Sequence, residues 1–130
     1  MAPGEGTDVT ADRGRGAGDD WGAVRGFHTE VLATTQGLFI ALIGELDGEA
    51  VAAAQTIVDT ATPGEHLAVD LRRLTFIDSA GLRMLLDWHH RLELLGGRLV
   101  LHSPSDAVDR VLAATGLHDV FDIADPGAAN

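Results

Sequence analysis

The sequence predicts one α/β domain: a mixed β-sheet with an antiparallel edge hairpin and crossover helices. Three observations carry this. Short apolar runs alternate with stretches of helical periodicity in the order β-β-α-β-α-β-α-β. The first two runs meet at Gln36-Gly37, a turn dipeptide that makes them a hairpin. Each of the last three strands follows a helix, as right-handed crossovers in a largely parallel sheet require.

The elements follow in order. Residues 1–26 are rich in Gly, Asp, Arg and Thr and poor in apolar side chains. Such a segment cannot bury enough surface to offset its ordering entropy, so it reads as a disordered tail. Its Gly14-x-Gly16-x-Gly18 stretch follows no strand and opens no helix, so it is not read as a nucleotide loop. Glu30–Gln36 is the first strand and Leu38–Ile43 the second; Gly44–Gly48 reads as a loop. Glu49–Ala61 reads as a helix with Val51, Ala54, Val58 and Ala61 on one face, ended by Thr62-Pro63-Gly64.

His66–Leu71 is short, apolar and flanked by helices, the pattern of a central strand. Ser79–Leu95 is the longest helix, stopped by Gly96-Gly97, and Leu99–His102 is the next strand. Ser103-Pro104-Ser105-Asp106 reads as a helix start: Ser103 as cap, proline in the first turn, an acid at the third position. Val108, Val111 and Leu112 form that helix's stripe and Gly116 ends it; Val120–Ile123 is the last strand. The folded domain is expected over residues 27–125, with 126–130 as a C-terminal tail.

A chain of 130 residues, 45% hydrophobic, supports one modest core. Cysteine is absent, so disulfide and thiol chemistry are excluded. No apolar run is long enough for a membrane span, and no secretory signal pattern opens the chain, so a cytoplasmic protein is expected. The net charge is −11 and every strongly basic side chain is arginine. That field disfavours nucleic acid and anionic lipid and favours a basic protein partner; it also serves solubility.

The most informative run is Val69–Leu82, VDLRRLTFIDSAGL. It passes from the central strand through a short loop to the long helix, with Ser79 at the start of that helix. A hydroxyl there can cap the helix or carry a phosphate stabilised by first-turn N–H groups. Asp78 is the alternative cap, which would leave Ser79 in the first turn. Ala80 and Gly81 are small enough for a partner's active site to approach, and Arg83 lies one helical turn beyond Ser79. Asp47, in the segment Gly44-Glu45-Leu46-Asp47, follows a strand and is expected on a neighbouring loop at the same edge.

Met84 and Trp88 widen the apolar arc of the long helix, either as core or as an extension of a contact surface. Adjacent His89 and His90 point about 100° apart on a helix, so no metal site is expected. No Ser-His-Asp order or paired-carboxylate site suggests hydrolysis. No cofactor is implied.

Val69–Leu82 resembles the signature of the STAS domain, the family of anti-sigma-factor antagonists. The strand ending in Gly44-Glu45-Leu46-Asp47 is similar to the family's earlier motif, and Val111–Ile123 resembles its C-terminal end. The resemblance implies a STAS-type sheet over residues 27–125 and a binding switch. Unmodified, such a protein binds an anti-sigma factor that is also a serine kinase, which frees the sigma factor. Phosphorylation at the position of Ser79 ends binding, and a metal-dependent, PP2C-type phosphatase restores it. Asp47, Asp78, Ser79, Ala80, Gly81, Arg83 and Met84 would then form the partner surface. The chain departs from the family pattern at Arg72-Arg73 and after Asp47. The resemblance also admits a STAS subunit of a stress-signalling scaffold or of a lipid or anion transport system. An acyl carrier, which shares an Asp-Ser helix start, would lack the strands expected here.

Overall fold

Residues 26–60 and 63–124 are described by the computed structural model. The N-terminal tail with Gly14-x-Gly16-x-Gly18, Ala61-Thr62, and the C-terminal tail lie outside the described residues.

Strands β1 (Phe27–Thr34) and β2 (Gly37–Leu46) form the expected antiparallel hairpin, with Thr34 opposite Gly37. Gly37 has φ +145, and a Cβ there would lie 1.9 Å from the His66 carbonyl oxygen. Only glycine allows the neighbouring strand to run so close. Helix α1 (Gly48–Ala54) follows, then a 3-10 segment, Gln55–Thr60. The α-helix is shorter than the expected Glu49–Ala61 because Thr56, Ile57 and Val58 are β-branched and crowd the preceding turn.

Strand β3 (His66–Asp70) pairs in parallel with the first half of β2 and with β5 (Arg98–His102). A further strand, β4 (Leu74–Ile77), occupies the stretch read as a loop and pairs in parallel with the far end of β2. Between β3 and β4 the chain makes one turn: the Arg72 amide donates to the Asp70 carboxylate at 2.9 Å. The Leu74 amide then donates to the Leu71 carbonyl at 3.2 Å. The polar pair Arg72-Arg73 thus interrupts a strand and does not replace it. The Gly44–Leu46 segment, also read as loop, is the end of β2.

The long helix α2 (Ser79–Leu94) leads to β5, and α3 (Asp106–Thr115) leads through a 3-10 turn to β6 (Asp122–Ala124). The last strand therefore starts later than expected, because Leu117–Asp119 is helical. The α3 cap is Ser105 and not Ser103. Ser103 takes φ +50 and its amide donates to the Ala124 carbonyl at 2.9 Å, so it is tied to β6. The Ser105 hydroxyl accepts from the Val108 amide and donates to the Leu74 carbonyl, which fastens α3 to β4.

Among the described residues the sheet order is β1-β2-β3-β5-β6, with β4 beside β2. One face is the core side: Ile40, Leu42, Leu67, Val69, Leu99 and Leu101 are fully covered. Period-two alternation does this, since His66 and Arg98 on the other face are exposed. From above, α2 contributes Leu85, Trp88 and Leu92, and α3 contributes Val108 and Leu112. Each such side chain is worth about 1.5–3 kcal/mol of burial. His89 is also buried, edge-on to Phe121 with ring centres 5.7 Å apart, and among the described residues its Nδ1 has no hydrogen-bond partner.

Candidate functional site

Strands β2 and β4 end together, with Leu46 in register with Ile77. The Asp78 amide donates to the Leu46 carbonyl at 3.2 Å, so the chains leave the sheet side by side. Each next residue is an aspartate, and each caps a helix. Asp47 (φ −108, ψ −172) accepts from the Ala50 amide, and Asp78 (φ −107, ψ −173) accepts from the Gly81 amide. Both bonds are 3.0 Å. An extended cap residue whose carboxylate takes an orphan first-turn N–H is the arrangement that best starts a helix.

Asp78 is therefore the cap of α2, and Ser79 is its first residue. Ser79 follows β4, not the central strand β3 as the sequence suggested. Its side chain is exposed, and no hydrogen bond engages its hydroxyl among the described residues.

Gly81 is buried, and its smallness serves the fold. A Cβ would lie 2.6 Å from the Leu46 carbonyl oxygen and 2.9 Å from Ile77 Cγ1. The missing side chain seats the first turn of α2 against the ends of β2 and β4, where the sequence reading gave the space to a partner. Met84, expected at the contact surface, is 4% exposed and packs in the core, as does Trp88. The wide apolar arc of α2 is covered by α1 on one flank and the sheet beneath.

Ala80 is half-buried and Arg83 is exposed. Both border a groove of about 400 Å³ between α1 and α2, floored by Met84 and Trp88. Across it Arg91 pairs with Asp59 at 2.7 Å. Sequence reasoning missed Phe76, an aromatic 47% exposed on β4, two residues before Asp78 and in register with Glu45. Its signal was the apolar run Leu74-x-Phe76-Ile77, which is strand-forming in itself.

Among the described residues, no group of His, Cys, Asp or Glu could hold a metal ion. Among them, too, no helix is long and apolar enough to cross a membrane.

A mixed sheet that presents an Asp-Ser-Ala-Gly helix start beside a second aspartate cap is the architecture of a STAS domain. The family profile matches residues 28–126, and the chain belongs to the STAS domain family. It is 32% identical over 89 residues to the anti-sigma F factor antagonist of Lysinibacillus sphaericus, covering 66% of this chain and 76% of that protein. Its fold is similar to that of the anti-sigma factor antagonist SpoIIAA in its unphosphorylated form: TM-score 0.59, 31% identity, 79% of this chain and 91% of that one. It is also similar to the Bacillus cell fate determinant SpoIIAA in the phosphorylated form: TM-score 0.58, 30% identity, 79% and 95% coverage.

Proposed function

We propose that this chain is an anti-sigma factor antagonist that acts as a phosphorylation-controlled binding switch and not as an enzyme. Unmodified, it binds an anti-sigma factor that is also an ATP-dependent serine kinase, and so frees the sigma factor. The kinase phosphorylates Ser79 and the complex separates. A PP2C-type phosphatase returns the binding form. Residues 27–125 are the working module, and its place is the cytoplasm.

One observation carries this reading. Among the described residues the Ser79 hydroxyl is exposed and unbonded because Asp78 does the capping. The acceptor can therefore change without loosening the helix. The relatives solved in unphosphorylated and phosphorylated forms support the same reading.

A phosphate adds about −1.5 to −2 charges to an edge that already carries Asp47 and Asp78. Against a partner carboxylate about 4 Å away, at an effective dielectric near 20, each unit charge repels by roughly 4 kcal/mol. That is enough to dissolve a moderate complex.

The test is affinity capture from the native organism with Ser79→Ala and Ser79→Asp baits, read by mass spectrometry. A serine-kinase anti-sigma factor recovered on the alanine bait alone is the expected result. Equal recovery on both baits would remove the switch, and a transport or scaffold partner would move the chain to another branch of STAS biology.

A further inference from the structure

We propose that Arg83 is the internal counter-ion of a phosphate on Ser79, so that phosphorylation both adds an anion and withdraws a cation from the contact surface. This rests on Ser79 being the modified residue.

In the first turn of α2, among the described residues, only the Ser79 and Ala80 amides are left for a phosphate. The Gly81 amide is held by the Asp78 carboxylate, and the Leu82 amide by the Asp78 carbonyl at 3.0 Å. The Asp78 carboxylate itself repels an anion beside it. Two amides do not neutralise a dianion, so a cation from beyond the turn completes the balance.

Arg83 is that cation. It lies four residues on, on the same helical face, and is exposed. Of the other guanidinium groups among the described residues, Arg91 is engaged by Asp59 at 2.7 Å, Arg73 by Glu30 at 3.0 Å and Arg98 by Asp122 at 2.9 Å. Arg72 lies in the turn between β3 and β4 and Arg110 on α3, and only Arg83 shares the helical face of Ser79. Among the described residues no carboxylate pairs with Arg83.

Asp87 is the competing anion, four residues beyond Arg83. Helical ion pairs favour the acid on the N-terminal side of the base, in line with the macrodipole. An anion at residue 79 has that order, and Asp87 has the reverse. A phosphate also carries more charge and more acceptors than a carboxylate, and guanidinium binds it with paired N–H groups. Arg83 thus turns from the α1–α2 groove, which it borders with Ala80, toward the phosphate. A partner reading Arg83 in the unmodified chain loses it in the modified one.

The test places phosphoserine at position 79 of the full chain by genetic code expansion, so no kinase is needed. Phosphorus NMR then follows the phosphate titration in three proteins: the parent, Arg83→Gln and Arg110→Gln. The expected result is a midpoint about 0.4 pH unit higher in Arg83→Gln, roughly a 2.5-fold gain in proton affinity, as an i, i+4 charge pair implies. Arg110→Gln removes the same charge from α3 and leaves the midpoint in place. Coincident midpoints for the parent and Arg83→Gln overturn the proposal, as does an equal shift in Arg110→Gln. Unmodified Arg83→Gln melts with the parent, which separates the effect from folding. Whether Ser79 is modified in cells is read separately, by tandem mass spectrometry of the native chain.

Discussion

Asp47 and Asp78 are the same structural device used twice, side by side. Each stands one residue beyond the register pair Leu46–Ile77, and their backbone angles agree within a degree. Each caps a helix through a 3.0 Å bond from the amide three residues on. The pair fixes where α1 and α2 begin relative to one sheet edge. It also leaves the Ser79 hydroxyl with no structural task.

Capping and contact are separable at Asp78. Asp78→Ala removes the cap and is expected to destabilise the domain by about 1 kcal/mol, and Asp78→Asn by far less, since asparagine caps as well as aspartate. A loss of about 1 kcal/mol lowers the melting temperature of a domain this size by roughly 4–8 °C. Thermal melts followed by circular dichroism check both. Any partner binding lost in Asp78→Asn then reports the charge and not the fold.

Gly81→Ala is expected to destabilise by about 1–3 kcal/mol, the range for forcing atoms into a packed site. The added Cβ meets the Leu46 carbonyl at 2.6 Å, a backbone atom that cannot step aside. Urea denaturation measures it. An unchanged midpoint would mean that the α2 start is not seated against β2.

His89→Leu is expected to raise stability. His89 is 7% exposed; its Nε2 lies 3.6 Å from the exposed Glu93 carboxylate, and among the described residues its Nδ1 is buried without a hydrogen-bond partner. Replacing an unsatisfied polar group with an apolar one of similar volume recovers about 1 kcal/mol. A higher denaturation midpoint at neutral pH is the expected reading.

Ser79→Ala and Ser79→Asp are both expected to fold within about 0.5 kcal/mol of the parent, as exposed substitutions that leave the Asp78 cap in place do. Calorimetric melts check this. A large loss in either would show that the hydroxyl supports the helix.

Much of the fold was legible because its signals are local. The hairpin turn, which falls on Thr35-Gln36 one residue before the expected Gln36-Gly37, and the αL stop at Gly116 mark their elements by backbone chemistry alone. Strand β4 was missed although Leu74-x-Phe76-Ile77 is strand-forming, because Arg72-Arg73 breaks the apolar run and a four-residue strand has no period of its own. The choice between Asp78 and Ser79 as cap was open, since either side chain can serve. The burial of Gly81 and Met84, and the choice between core and surface for Trp88, were not legible for one reason: their neighbours are distant in sequence. Leu46 fills the space beside Gly81, and the covering of Met84 depends on where α1 lies. Periodicity reports a wide apolar arc but not what covers it.

The most direct measurement mixes the captured anti-sigma factor with the full chain, adds Mg-ATP, and follows the complex by gel filtration with tandem mass spectrometry. The account predicts a single phosphate, on Ser79, and loss of the complex in step with its appearance; Ser79→Ala stays bound. A complex that persists once Ser79 is fully phosphorylated, or a phosphate placed on another residue, would contradict it.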